Sequence, residues 1–248
     1  MRKRAPSPLE TSAPVNLFCT LPLLASSFDF QPVWLSLRVA LAALLLVAVA
    51  GISAGRFFAK RRFRGQGALE AMLLLPLVLP PVVSGLVLLV LLGKRGLVGA
   101  WLWHHFGLQI LFSPLAATIA SALVAFPLMF ASARAAFAGT DAQLEQAAAS
   151  LGASPARVFW TVALPLAGSG IAAGLALSFA RALGEFGATI LVAGNIAGQT
   201  TTVSTAIYQA AEDGDYPLAG RYCLVLAAFN LCFVLAAQTW TRRAPRSR

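Results

Sequence analysis

The sequence predicts an all-α integral membrane protein with about five transmembrane helices, and three observations carry that prediction. Of 248 residues, 58% are hydrophobic and only 11% charged, against about a quarter charged in an ordinary soluble domain. The apolar residues are gathered into blocks: residues 39–55, 71–93, 113–133, 158–180 and 222–241 contain no Asp, Glu, Lys or Arg. Each block approaches the roughly 20 residues that a helix needs to cross about 30 Å of hydrocarbon. The charges lie between the blocks, and they alternate in character from one side to the other.

Ahead of the first block, residues 1–32 read as a poorly ordered N-terminal extension, and 33–241 as the transmembrane domain. The stretch 17–25 is apolar but only nine residues long and broken by Pro22, too short to span. A signal peptide stays open as an alternative, although no clean small-x-small cleavage site precedes Phe28. A disordered extension or a misplaced start codon is the preferred reading. The first block is followed by Arg56, Lys60, Arg61, Arg62 and Arg64. The second holds Pro76, Pro80 and Pro81. Proline removes a backbone donor and loosens a helix, which a membrane tolerates only beside protein or water. That leaves a kinked, packed helix and a movable, pathway-lining helix equally open.

After the second block come Lys94 and Arg95, then Trp101, Trp103, His104 and His105, read as an outer loop at the headgroup level. The adjacent histidines point different ways and lack acidic or thiol partners, so no metal site is expected. Arg134 and Arg157 flank the loop between blocks three and four, and Arg242, Arg243, Arg246 and Arg248 form a basic tail over 242–248. In a five-span arrangement these two regions and the Arg56–Arg64 cluster share one side. The other side holds Lys94, Arg95 and Arg221 with Glu212, Asp213 and Asp215. Short loops rich in Lys and Arg stay in the cytoplasm, which puts the C-terminus inside and the N-terminus outside. Arg2, Lys3 and Arg4 sit against that arrangement. The net charge of +10 is thus a topology signal rather than a nucleic-acid footprint. Trp34, Trp160 and Trp240 fall at expected helix ends, where indole rings favour the interface. Cys223 and Cys232 are nine residues apart on one helix, about 13 Å along its axis, too far to bridge; Cys19 stands alone.

Residues 139–157 are the most informative segment. Thr140 followed by Gln143 reads as a capping box that starts a helix near Asp141. Leu144, Ala147, Ala148 and Leu151 recur at helical spacing as a smooth, small-sided apolar face. Gly152 can take a left-handed conformation at the helix end. Ser154 is a good N-cap and Pro155 a good first helical residue, so a second helix starts at once and runs toward Pro165. On pattern alone this is either an ordinary amphipathic connector or a docking bracket.

Gln146-Ala147-Ala148, then Gly152, then Val162-Ala163-Leu164-Pro165 resembles the EAA loop of binding-protein-dependent ABC import permeases. Gln146 stands where that family has Glu, with Glu145 one place earlier, and Val162 replaces Ile. The resemblance implies the type-1 ABC importer permease fold, multi-pass in a bacterial inner membrane. It makes the loop, with Glu145, Gln146, Ala147, Ala148, Leu151 and Gly152, a coupling helix that docks on a cytoplasmic ABC ATPase. No Gly-rich phosphate loop with its Lys-Ser/Thr pair is present, so this chain is expected to carry no catalytic residue and no cofactor, with ATP and Mg on the partner.

The run from Leu75 through Pro80 and Pro81 to Val83, the run Phe179-Ala180-Arg181-Ala182-Leu183-Gly184-Glu185-Phe186-Gly187, and Gly194-Asn195-Ile196 look like molybdate-importer permeases, which are similar to sulfate permeases. That likeness covers about residues 33–240. It implies molybdate as cargo, a second copy of the chain to complete the pathway, and an extracytoplasmic molybdate-binding protein; sulfate or tungstate is the runner-up. Pro80, Pro81, Arg181, Gly184, Glu185 and Gly187 are the pathway or gate candidates. Arg181 and Glu185 at i,i+4 share a face and can pair, and a structural pair is favoured because Glu185 would repel a dianion. Backbone amides freed around 184–187 and 194–198 could meet an anion in passing. Gly170 and Gly174 suggest close helix packing. Residues 199–204 read as an outer loop and 206–211 as a short interfacial helix.

Other classes fit poorly. A secondary transporter should show paired repeats and midplane charges in several spans, and an intramembrane hydrolase needs a nucleophile and base inside the bilayer.

Overall fold

The computed structural model describes residues 28–243, with side chains to Thr239. Arg2, Lys3, Arg4, the stretch 17–25, Cys19, Arg246, Arg248 and the side chains of Trp240, Arg242 and Arg243 lie outside what is described.

Every regular element among the described residues is helical. Helix α1 (Gln31–Lys60) crosses first, entered through Pro32 in its first turn. The second crossing is broken. Helix α2 (Gln66–Val78) stops at an extended Leu79, and α3 (Pro81–Leu92) restarts behind Pro80. A residue before proline is pushed out of the helical region, and two prolines in series supply no donors. The single span expected over 71–93 is therefore two helices, with Pro76 inside α2 and Pro81 at the first turn of α3.

Helix α4 (Leu97–Phe106) takes up the segment expected as a loop, and with α3 it makes an apolar path over Pro81–Phe106. No proline lies inside 97–106, its one glycine, Gly99, sits close against the end of α3, and Gly107 at φ +63° ends the helix. Trp101, Trp103, His104 and His105 are therefore helical, and the histidines belong to a candidate span. Helix α5 (Pro114–Ala138) follows, capped by Ser113, and is the most buried of the spans.

The bracket helix α6 (Ala142–Ser150) leads into α7 (Pro155–Val158), a π-helical turn at Phe159–Ala163, α8 (Leu164–Leu166) and α9 (Gly168–Leu183). The fourth crossing, expected to be continuous over 158–180, bends by 75° between Leu166 and Gly168. Pro165 removes a donor and the π turn shifts the ladder by one residue, both known causes of sharp kinks. Short helices α10 (Gly187–Val192) and α11 (Val203–Glu212) precede the last crossing, α12 (Tyr216–Arg243). Among the described residues four helices are long and apolar enough to span, and the bent pair makes five.

Helix α5 is the spine. A Cβ on Gly51 or Gly55 of α1 would lie 2.7 Å from Met129 Cγ or Ala133 Cβ. One on Gly170 or Gly174 of α9 would lie 2.6 Å from Ala136 Cβ or 2.7 Å from Ser132 Cβ. These contacts make α1 parallel and α9 antiparallel to α5. Inside a bilayer apolar burial gives no net drive, so association depends on close backbone approach at small residues. The pair at Gly170 and Gly174 packs as its spacing suggests; the equivalent pair in α1 does the same on the other flank. Ala125, Met129, Ala133, Phe137 and Phe179 form the main buried cluster. Phe179 also stacks on Phe233 of α12, ring centroids 3.9 Å apart.

At the end away from the basic clusters, Ala188 and Val192 of α10 join Leu88, Leu92, Ala117 and Val124 in a second cluster. Helix α11 is pinned there by its own capping box, in which Thr202 and Thr205 exchange hydrogen bonds. The Val203 N–H donates to Ser36 Oγ at 2.7 Å, and the Tyr222 hydroxyl to the Asp29 carbonyl at 3.0 Å. Broad apolar faces stay outward, with Leu45, Val49, Met72, Val78, Val90 and Leu224 all exposed.

Candidate functional site

The bracket begins one residue later than the capping-box reading. Asp141, not Thr140, is the N-cap: its carboxylate accepts the Gln143 N–H at 2.8 Å, while the Thr140 hydroxyl turns back to the Phe137 carbonyl. Aspartate at this position also meets the positive end of the helix dipole. Helix α6 then runs nine residues and buries none of them. Gly152 closes it with φ +86°, a left-handed turn that costs a β-carbon-bearing residue roughly 1–2 kcal/mol. Ser154 accepts the Arg157 N–H and starts α7, as its sequence suggests.

The predicted apolar face divides. Leu144 and Ala147 are exposed and Leu151 is 90% exposed, so they look away from the bundle. Ala148 is half-buried and looks inward, and so does Glu145. Glu145 Oε1 lies 2.9 Å from Lys60 Nζ, and Oε2 lies 3.5 Å from Arg56 Nη2. The Arg56 guanidinium also sits over the Phe159 ring at 4.8 Å and the Phe137 ring at 5.6 Å. Gln146 is exposed on the outer surface of α6. The last turns of α1, the end of α5, α6 and the π turn thus meet at one joint. The sequence showed Arg56 and Lys60 on one face of α1, four residues apart. It gave no sign that their partner lay 85 or more residues away.

Beside this joint, Glu70 of α2 pairs with Arg134 of α5 at 3.1 Å and accepts from Gln66. A cavity of about 650 Å³ opens there between Phe58, Arg62, Gln66, Leu74, Phe130 and Arg134.

At the opposite end, Arg181 Nη1 is 2.6 Å from Glu185 Oε2. Glu185 is almost wholly buried, and its Oε1 accepts the Ala188 N–H at 2.8 Å. One carboxylate thus neutralises an arginine and caps the first turn of α10, across the break at Gly184. Gly187 touches Pro81, a Cβ there coming within 3.0 Å of the proline ring, and a Cβ on Gly85 would lie 2.7 Å from Ala188 Cα. Pro81 and Gly187 therefore bring α3 against α10, while Pro80 forms the turn before α3.

Of the backbone amides expected to be free over 184–187 and 194–198, those of residues 184, 185 and 196 donate within the chain, as do the neighbouring amides of 188, 199 and 200. Buried donors are costly to leave unpaired, and short turns satisfy them locally. Helix α11 exposes Tyr208, whose hydroxyl donates to Glu212 Oε1 at 2.6 Å. That hydrogen bond, and the carboxylate charge with it, raises the phenol pKa above its ordinary value. Arg38, two turns into α1, lies over Trp34 at 4.7 Å beside a cavity of about 270 Å³; as a lone charge just ahead of the first apolar block, it drew no notice in the sequence. Among the described residues, no three metal-binding side chains gather.

Residues 47–244 match the family model of the binding-protein-dependent transport system inner membrane component. This chain belongs to that family. It is a multi-pass inner-membrane permease, a transport subunit. The permease is 42% identical over 221 residues to the molybdenum transport system permease protein ModB of Escherichia coli, covering 89% of this chain and 96% of that one. It is likewise 42% identical over 216 residues to ModB of Haemophilus influenzae, covering 87% and 94%. The sulfate transport system permease protein CysT of Escherichia coli is 33% identical over 85% of this chain and 76% of its own.

Among solved structures the permease superposes on a bacterial ABC transporter that imports alginate, at TM-score 0.70 and 19% identity, covering 91% of this chain and 82% of that one. It also superposes on the MetNI methionine ABC transporter, at TM-score 0.69 and 16% identity, covering 88% and 97%. The fold is that of type-1 ABC importer permeases.

Proposed function

We propose that this permease imports molybdate, with two copies forming the pathway between them. A cytoplasmic ABC ATPase drives it and an extracytoplasmic binding protein supplies it. The basic end faces the cytoplasm, because short loops rich in Lys and Arg are retained there. The N-terminus then lies outside and the C-terminus inside. The observation that carries the reading is α6. It is a helix outside the bundle that offers Leu144, Ala147 and Leu151 to a partner while its other face is tied to α1. An apolar, small-sided helix standing free of its own bundle needs a cover, and a soluble motor protein supplies one.

In this reading ATP binding draws two ATPase subunits together, and the two α6 helices move with them. The bent fourth crossing passes that motion to α9 and, through the break at Gly184, to α10 against α3. Glu185 keeps that break in register, and Arg181 is neutralised by it rather than left to hold a dianion. Such a conduit contacts its cargo weakly, as release requires.

The test is reconstitution of the permease with its ATPase and binding protein in liposomes, following labelled molybdate against tungstate and sulfate competitors. ATP-dependent uptake that an equal concentration of sulfate leaves above about half supports molybdate. Sulfate uptake with no molybdate uptake moves the assignment to the sulfate branch, to which the likeness to CysT points. Uptake without ATP removes the ABC reading.

A further inference from the structure

Helix α6 is lightly held to the rest of the molecule. It buries no residue, and its ends are joined to α5 and α7 through Gly139 and Gly152. Two of its nine side chains turn inward, Ala148 and Glu145, and only Glu145 carries a charge to an element outside its own loop. The cations that its carboxylate meets are on the end of α1, with Lys60 at 2.9 Å and Arg56 at 3.5 Å. Lys60 Nζ also reaches Thr140 Oγ1 at 3.4 Å, just before the helix N-cap. Arg56 is in turn wedged between Phe137, fully buried at the end of α5, and Phe159, the first residue of the π turn. Three elements therefore converge on one guanidinium, and the fourth is tied to it by Glu145.

We infer that Glu145 is a positioning residue of the coupling step: with Arg56 and Lys60 it latches α6 to α1, so that movement of α6 carries the α1–α5 block with it. This deepens the coupling reading above and rests on it. The carboxylate faces its own bundle, away from the surface that a docked ATPase would cover. Its work is then to fix the angle of α6 rather than to grip the motor. The other charged residues of the same loop, Arg157 and Asp141, are both exposed, and the Asp141 carboxylate is taken up by the Gln143 N–H. Glu70 and Arg134 are already engaged with each other. The Glu145 triad is partly buried, with side-chain exposures of 15% for Glu145, 26% for Arg56 and 29% for Lys60. Such a pair is screened by salt less than a surface one, and Arg56 supplies a planar fork fixed by aromatic contact, which lysine cannot copy.

The test uses the full complex of permease, ATPase and binding protein in liposomes, comparing the unmodified chain with Glu145→Gln, Arg56→Gln and the double variant. The readouts are ATPase retained on the complex, ATP hydrolysed, and molybdate delivered per ATP. The latch predicts that Glu145→Gln retains the ATPase and hydrolyses ATP at no less than half the usual rate, with delivery per ATP falling about fivefold. Arg56→Gln added to Glu145→Gln should lower that ratio by less than a further twofold, because the two act through one contact. An unchanged ratio in Glu145→Gln overturns the latch while leaving the coupling reading intact. Loss of the ATPase from Glu145→Gln in proportion to lost transport also overturns it, because Glu145 would then be a docking residue. An unmodified chain that never holds the ATPase sinks the coupling reading and the latch with it.

Discussion

Two glutamates, one at each end of the bundle, do opposite things with the same chemistry. Glu185 pairs with Arg181 one helical turn away and caps α10 three residues on, so its partners all lie within seven positions of the chain. Glu145 pairs with Arg56 and Lys60, which belong to an element five helices earlier. The first is almost wholly buried and seals a break in one crossing; the second is half-buried and joins separate crossings. A local, buried pair holds a shape, whereas a long-range, partly wet pair holds an angle between bodies that can still move. Removing one partner of a buried ion pair leaves an uncompensated charge at a cost of several kcal/mol, while exposed pairs contribute about 1 kcal/mol or less.

Glu185→Ala should show the largest effect. It strands Arg181 and uncaps α10, and with Arg181 partly exposed the loss should be near the low end of the range, about 3 kcal/mol. Thermal unfolding of the purified permease in detergent should show a clearly lowered midpoint together with lost uptake. An unshifted midpoint would erase the contrast between the two glutamates, since Glu145→Gln is expected to leave that midpoint nearly unchanged.

Gly152→Val comes next. Valine in a left-handed conformation costs roughly 1–2 kcal/mol or forces the turn to open. The change should cut uptake about tenfold while leaving membrane insertion and the α1–α5 packing untouched, as read by yield in the membrane fraction. Normal uptake would make the loop a mere connector. The smallest effect belongs to Asp141→Ala, which deletes the cap at about 1 kcal/mol. It should lower uptake less than threefold, and hydrogen exchange should speed up at residues 143 and 144 alone. Faster exchange spreading into α9 would show that α6 and the bent crossing are one cooperative unit rather than two.

The parts of this fold that were legible in the sequence are those fixed by neighbours. Charge-free blocks marked α1, α5 and α12, and Gly152, Ser154 and Pro155 marked the turn and the new helix to the residue. Residues 181 and 185 announced a pair because i,i+4 spacing brings them together on any helix. What sequence did not yield depends on a choice between competing local options. Three prolines in the second block suggested loosening, but whether they kink or break a helix depends on whether Leu79 goes extended. The 75° bend needed Pro165 and a π turn acting together, and a π turn has no sequence mark. Residues 97–106 looked like a loop because Trp and His read as interfacial, yet they hold no proline, and the single Gly99 is tolerated within the helix. The Glu145 joint was illegible for a plainer reason: its partners meet only after α1 and α5 have packed, through glycines whose spacing in α1 went unread.

The elbow at Ala167 has a mechanical meaning of its own. Residues 155–166 form a crank arm roughly 18 Å long at 1.5 Å per residue, set 75° away from the shaft that is α9. A swing of about 10° at the shaft sweeps the tip of such an arm through about 3 Å. A straight crossing would have to slide along its axis to move anything that far, against glycine contacts with no slack. The bend lets torque stand in for translation.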